Sequence, residues 1–120
     1  MTDDRARLDD FLAHILDAID RIDRYSGDMT LEQFLERELV QDAVVRNLEV
    51  IGEASRNITR RFPDFVLEHS EIPFVFAYEM RNALSHGYFQ IDLVIVWNTI
   101  KGDLPDLRSR VARLVAGSRS

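Results

Sequence analysis

Residues 81 to 88 read Arg-Asn-Ala-Leu-Ser-His-Gly-Tyr and set a guanidinium, an imidazole and a phenol close together along the chain. A guanidinium holds phosphate through paired N–H donors, an imidazole moves a proton near neutral pH, and a phenol accepts a covalent group. No other stretch concentrates as much chemistry, so Arg81, His86 and Tyr88 are the candidate working groups.

An arginine and a histidine five residues apart are unremarkable in a chain with fourteen arginines. Tyr88 completes an arginine, any four residues, histidine, any residue, tyrosine arrangement that chance produces far less often. On an unbroken helix five residues turn by about 140°, which points Arg81 and His86 to different sides of one cylinder. Two arrangements bring them together. Gly87 can end the helix beside His86, leaving the imidazole in the last turn where the helix dipole favours its protonated form. Alternatively, the motif meets its own copy across a two-fold axis. The residues alone do not choose between these, and they also fit a plain structural reading in which Arg81 makes a surface ion pair and His86 caps carbonyls.

The elements that must position this motif are helical. Leu8, Phe11, Leu12, Ile15, Ile19 and Ile22 recur at three- and four-residue steps, so residues 4 to 25 read as an amphipathic helix ending before Ser26-Gly27-Asp28. Thr30 can cap a short helix over 31 to 36, with Leu31, Phe34 and Leu35 expected to face inward. Residues 38 to 62 put Val40, Ala43, Val44, Leu48, Val50, Ile51, Ala54, Ile58 and Phe62 on one apolar arc, with Arg46 at its border. Asn47 falls inside that arc, either as a satisfied core amide tying two helices together or as a group that orients a site residue. Pro63 breaks this helix, and 64 to 71 form a connector with room for a short helical turn.

Ile72-Pro73 opens the helix that carries Phe74, Val75, Phe76, Met80 and Leu84 and ends at the motif. Asp92 can cap a further helix with Leu93, Val96, Trp97 and Ile100 on one stripe, and Asp103-Leu104-Pro105 restarts or bends the chain into a last helix with Leu107, Val111 and Leu114. Gly117 to Ser120 are expected to be a loose tail. The expected architecture is all-α, an up-and-down bundle of four to five antiparallel helices with short connections, in a single domain spanning residues 1–120. His14 reads as a helix-surface residue and His69 as a loop residue.

Composition narrows the function classes. At 120 residues the chain can build one real core. It has no cysteine, hence no disulfide framework and no thiolate zinc site, and no other metal-ligand spacing or glycine-rich phosphate loop. No apolar run reaches membrane length and the acidic N-terminus does not read as a signal peptide, so a cytoplasmic protein is expected. A net charge of −6 argues against broad coating of a nucleic-acid backbone. A local basic patch is compatible with it: Arg56, Arg60 and Arg61 cluster near one helix end, with Arg81 as a candidate fourth member. The excess of arginine over the single Lys101 fits phosphate recognition and genomic base composition equally.

Several segments in order resemble the HepT family of HEPN-domain toxins, the partners of minimal nucleotidyltransferase (MNT) antitoxins. They are the run from Gln41 to Ala54, Ile72-Pro73-Phe74, Met80-Arg81-Asn82, His86-Gly87-Tyr88-Phe89, Ile91-Asp92, Val96-Trp97 and Asp103-Leu104-Pro105. The resemblance covers roughly residues 8 to 107, and the family motif is complete. It implies the HEPN fold and a homodimer whose two motifs face a shared cleft and cleave RNA without a metal or other cofactor. His86 would then be the general acid or base at the ribose 2′-hydroxyl or the leaving oxygen, and Arg81 would stabilise charge on phosphorus. Asn82, Ser85, Asn47 and Arg46 would be supporting or RNA-contacting groups. Tyr88 would be the site where the antitoxin attaches AMP, blocking RNA by charge and bulk. The chain departs from the family at Glu79, where relatives often carry glycine, and at Phe74, where tryptophan is frequent; Glu79 places a carboxylate close in sequence to Arg81. The resemblance thus implies a ribonuclease toxin, with a non-catalytic partner and modification substrate of a nucleotidyltransferase as the alternative.

Overall fold

A computed structural model describes residues 2–74 and 92–119, and all regular structure among them is helical. The helices are α1 (Thr2–Ser26), α2 (Leu31–Glu36), α3 (Glu38–Arg61), α4 (Pro63–Glu68), α5 (Leu93–Asn98) and α6 (Leu104–Arg119), with a π-helical turn (Thr99–Asp103) joining the last two. The fold is all-α, as the periodicity predicts.

The long pair α1 and α3 forms the spine. Leu8, Leu12, Ile15, Ile19 and Ile22 of α1 and Val44, Leu48, Ile51 and Ile58 of α3 are all buried, so the two predicted stripes face the core. Each such side chain contributes about 1.5–3 kcal/mol on leaving water. The pair runs antiparallel: Asp4, Arg5 and Leu8 at the start of α1 share a groove with Phe62, Phe65 and Glu68 just beyond the end of α3. The end of α1 meets the start of α6 in the same sense, with Asp23 and Ser26 beside Leu104 and Pro105.

Local chemistry sets the breaks between helices. At α2 a capping box forms, in which the Gln33 N–H donates to Thr30 Oγ1 at 3.2 Å and the Thr30 N–H donates to Gln33 Oε1 at 2.9 Å. Phe34 is fully buried against Trp97, ring centroids 5.3 Å apart. Leu35, expected to face inward, instead points outward at 43% exposure, because a six-residue helix has only one buried edge and Phe34 takes it. Arg37 interrupts the backbone at φ −114°, ψ 83°, and the Gln41 amide bridges the break by donating to the Phe34 carbonyl at 2.8 Å. Pro63 cannot continue α3, so Phe62 leaves the helical region and α4 restarts with the proline at its first position, where no N–H is needed.

Asp92 caps α5, its Oδ1 accepting from the Val94 and Ile95 N–H groups. Val94, Ile95 and Val96 therefore lie on a helix and not a strand, and the expected bend before Pro105 is the π-helical turn. There the Leu104 N–H reaches back five residues to the Thr99 carbonyl. The wider turn takes up a proline near the start of a helix, and the Thr99 hydroxyl ties it to the Ile95 carbonyl at 2.9 Å. Lys101 projects from this turn onto the end of α1, donating to the Ser26 and Gly27 carbonyls at 3.2 and 3.3 Å. The helical ladder of α6 carries on to Arg119. No helix among the described residues is long and apolar enough to cross a membrane.

Candidate functional site

The segment bearing Arg81, Asn82, Ser85, His86 and Tyr88 lies outside the described residues, as do Glu79 and the helix expected after Ile72-Pro73 beyond Phe74. The structure does fix where the chain goes into that segment and where it comes out. Ile72 and Phe74 are buried, and Phe74 stacks near Phe65 with centroids 6.1 Å apart. On the far side Asp92 starts α5. The motif is thus bracketed by an aromatic anchor in the core and a capped helix, separated by seventeen residues, 75 to 91.

Asn47 and Arg46 are described. Asn47 is 7% exposed, and its amide donates to the Ala43 carbonyl at 2.8 Å, four residues back in the same helix. That bond stays within α3, so it does not tie two helices together as a core amide was expected to. Arg46 projects into solvent with 74% of its side chain exposed, and among the described residues its ion-pair partner is Glu49 at 3.8 Å, too long for a firm pair. One polar group escaped the sequence reading. The Ser55 hydroxyl is fully buried and finds no hydrogen-bond partner among the described residues, a cost of about 1–3 kcal/mol that a serine between Ala54 and Arg56 gave no signal of.

The sequence reading also missed a groove between α1 and α3. It has a volume of about 500 Å³ and is lined by Phe11 and His14 on one wall and Arg46, Glu53, Arg56 and Asn57 on the other. His14 meets Phe11 edge to face at 6.4 Å, and the Arg61 guanidinium lies 5.7 Å from the centre of the Phe11 ring. The signal was present in the three-residue spacing of Phe11 and His14 and in the Arg56, Arg60, Arg61 cluster, but nothing in the sequence says that these two faces meet. His14 is on the helix surface as expected, and His69 ends α4, its ring 4.5 Å from Phe65 and its Nδ1 3.5 Å from Glu71. Among the described residues no three His, Asp or Glu side chains are grouped to hold a metal.

The pattern of ancestry agrees with the fold. The family described as "Ribonuclease HepT-like" matches residues 15–114, which includes the whole Arg81 to Tyr88 motif. The chain belongs to the HepT-like ribonucleases. It is 40% identical over 105 residues to "Probable ribonuclease HepT" of Thermococcus cleftensis, covering 88% of this chain and 93% of that protein. A Methanocaldococcus jannaschii protein named "Putative RNase" is 35% identical over 105 residues, with 88% of each chain covered. A second protein of that organism, named "Gamma-glutamylcyclotransferase and putative RNase", is also 35% identical over 105 residues, and this chain spans 46% of its length. No solved structure matches the chain at a significant level. As a HepT-like ribonuclease, the protein has its arginine, histidine and tyrosine motif within the matched region.

Proposed function

We propose that this HepT-like protein is the toxin of a toxin-antitoxin pair, an RNA endonuclease that works as a homodimer in the cytoplasm without a metal or other cofactor. The observation that carries the reading is the complete motif of Arg81, His86 and Tyr88 inside a family match covering residues 15–114. In this reaction the ribose 2′-oxygen attacks phosphorus as its proton is removed, the bond from phosphorus to the 5′-oxygen breaks, and that oxygen takes up a proton. Neutral His86 can accept the first proton, or its imidazolium can give the second. Arg81 carries a charge at any physiological pH and offers donors in a fork that matches the equatorial phosphate oxygens. Asn82, Ser85, Asn47 and Arg46 support the site or touch RNA.

Control would run through Tyr88. A cognate minimal nucleotidyltransferase antitoxin would transfer AMP from ATP, the phenol oxygen bonding to the α-phosphorus, the phenol losing its proton and pyrophosphate leaving. The phosphodiester so formed adds a negative charge and a nucleoside two residues from His86. The net charge of −6 favours a defined RNA in a confined cleft over indiscriminate cleavage.

The test is cleavage of total RNA by purified protein in excess EDTA, with wild type and His86→Ala side by side. Cleavage by wild type alone supports a metal-independent nuclease acting through the motif. Equal cleavage by both refutes the role of His86. No cleavage by either, together with AMP transfer to wild type and not to Tyr88→Phe, replaces the nuclease with a non-catalytic modification substrate.

A further inference from the structure

We infer that the groove between α1 and α3 is a second RNA contact, separate in sequence from the Arg81 to Tyr88 motif, that holds a short single-stranded stretch of the substrate at its Phe11, Arg56 and Arg61 end. The inference takes RNA as the ligand from the proposed function; the rest stands on the groove itself. Single-stranded RNA is held without sequence reading by two kinds of group, aromatic faces on which bases stack and cations that follow the phosphates. Both are present on facing helices. Phe11 presents its ring half-buried from α1 with the His14 imidazole at its edge, and α3 brings Arg56 and Asn57 to the opposite wall. The Arg61 guanidinium already lies 5.7 Å from the Phe11 ring centre, the geometry in which an arginine stacks, so a base sliding onto Phe11 would meet a planar cation ready to shift to its phosphate.

Position and charge fit a short contact. Arg56 lines the groove itself, and Arg61, about 7.5 Å further along α3 and about 140° around it, lies over the Phe11 ring. Arg60, exposed between them, adds a third positive charge at this end of the helix. The carboxylates sit further back along α3, Glu53 one turn before Arg56 and Glu49 3.8 Å from Arg46, so the basic end is the one where Arg61 meets Phe11. The groove is therefore graded, basic near Phe11 and mixed near Arg46, and would take one end of a strand and not a long duplex. This is how a chain with a net charge of −6 can gain affinity for RNA, through a small patch and not a broad surface.

The experiment measures binding of a fluorescein-labelled 2′-O-methyl oligouridylate, about twelve nucleotides long, to the full chain by anisotropy across a salt series. This probe lacks the 2′-hydroxyl nucleophile and cannot be cut, so the result does not depend on whether the protein is a nuclease. The double variant Arg56→Gln, Arg61→Gln is expected to bind about tenfold more weakly, with the slope of log K against log salt reduced by about 1.4, or about 0.7 for each lost phosphate contact. Phe11→Leu keeps an apolar side chain in the half-buried position and removes the ring. It is expected to lose about five- to tenfold in affinity with its salt slope unchanged. A 4-thiouridine version of the probe, cross-linked by light, should mark peptides containing Phe11 or His14. Wild-type affinity and slope in both variants would overturn the inference, as would cross-links that avoid α1. A change in oligomeric state with unaltered RNA affinity would also overturn it and give the groove to a protein contact.

Discussion

Lys101, the only lysine of the chain, makes a testable tie between the π-helical turn and the end of α1. Its ammonium donates to the Ser26 and Gly27 carbonyls at 3.2 and 3.3 Å and lies 4.7 Å from the centre of the Trp97 ring. Lys101→Met keeps the aliphatic stem on the ring and removes only the charge and the donors. The cation–π contact contributes about 0.5–1 kcal/mol at an exposed site. A cation at a helix C-terminus adds about 0.3–1 kcal/mol, and the long hydrogen bonds together add about 1 kcal/mol. One ammonium makes all these contacts, so they overlap, and about 1.5 kcal/mol is the expected total. With an unfolding entropy near 2.1 cal/mol/K per residue, 120 residues have about 250 cal/mol/K, so Tm should fall by about 6 °C. The assay is thermal unfolding followed by far-UV circular dichroism, with wild type and variant at the same protein concentration so that any oligomer equilibrium is matched. The gap should narrow in about 1 M salt, where an exposed charge is screened. A shift below about 1 °C at low salt would refute the tie as a source of stability.

Three further substitutions test the local physics of the fold by the same assay. At Gly27 a Cβ would stand 2.5 Å from the Asp23 carbonyl oxygen, to which the Gly27 N–H already donates at 2.7 Å, so Gly27→Ala should destabilise by about 1–2 kcal/mol. A gain of about 0.4–1 kcal/mol, the usual effect of removing glycine freedom from the unfolded chain, would show that the close approach relaxes at no cost. Thr30→Ala removes one half of the capping box at α2 and should cost about 1 kcal/mol. Arg108 donates to Asp20 at 2.7 Å, and the hydrogen bond and charge of that carboxylate raise its pKa above the ordinary guanidinium value. A raised pKa gives stability at every pH below the unfolded value and loses it only as pH climbs through the folded one. Arg108 therefore contributes no pH dependence in the neutral range. Because both side chains are about half exposed, Arg108→Met should cost under about 1 kcal/mol.

The helices were legible because each announces itself locally. The stripe on α1, the arc on α3, Thr30 ahead of α2, Pro63 after α3 and Asp92 ahead of α5 are all signals carried within a few residues. What failed to show was the outcome of competition between neighbours. Leu35 and Phe34 are equally apolar, but a helix of six residues buries one edge, and only the position of Trp97 decides that Phe34 takes it. Asn47 was recognised as a polar group in an apolar arc, but whether its amide would bond across helices or within its own could not be read from the spacing. The motif itself was plain from sequence and lies outside the described residues.

Sequence alone determined the helical class and the breaks between helices and singled out Arg81, His86 and Tyr88 as the candidate working groups, since residue type and short-range period suffice for each. Tertiary structure alone decided that Phe11 and His14 face Arg56 and Asn57 across a groove, and that Lys101 closes the end of α1 seventy-five residues away. Such pairings depend on how two amphipathic faces rotate against each other, and no single helix encodes that rotation.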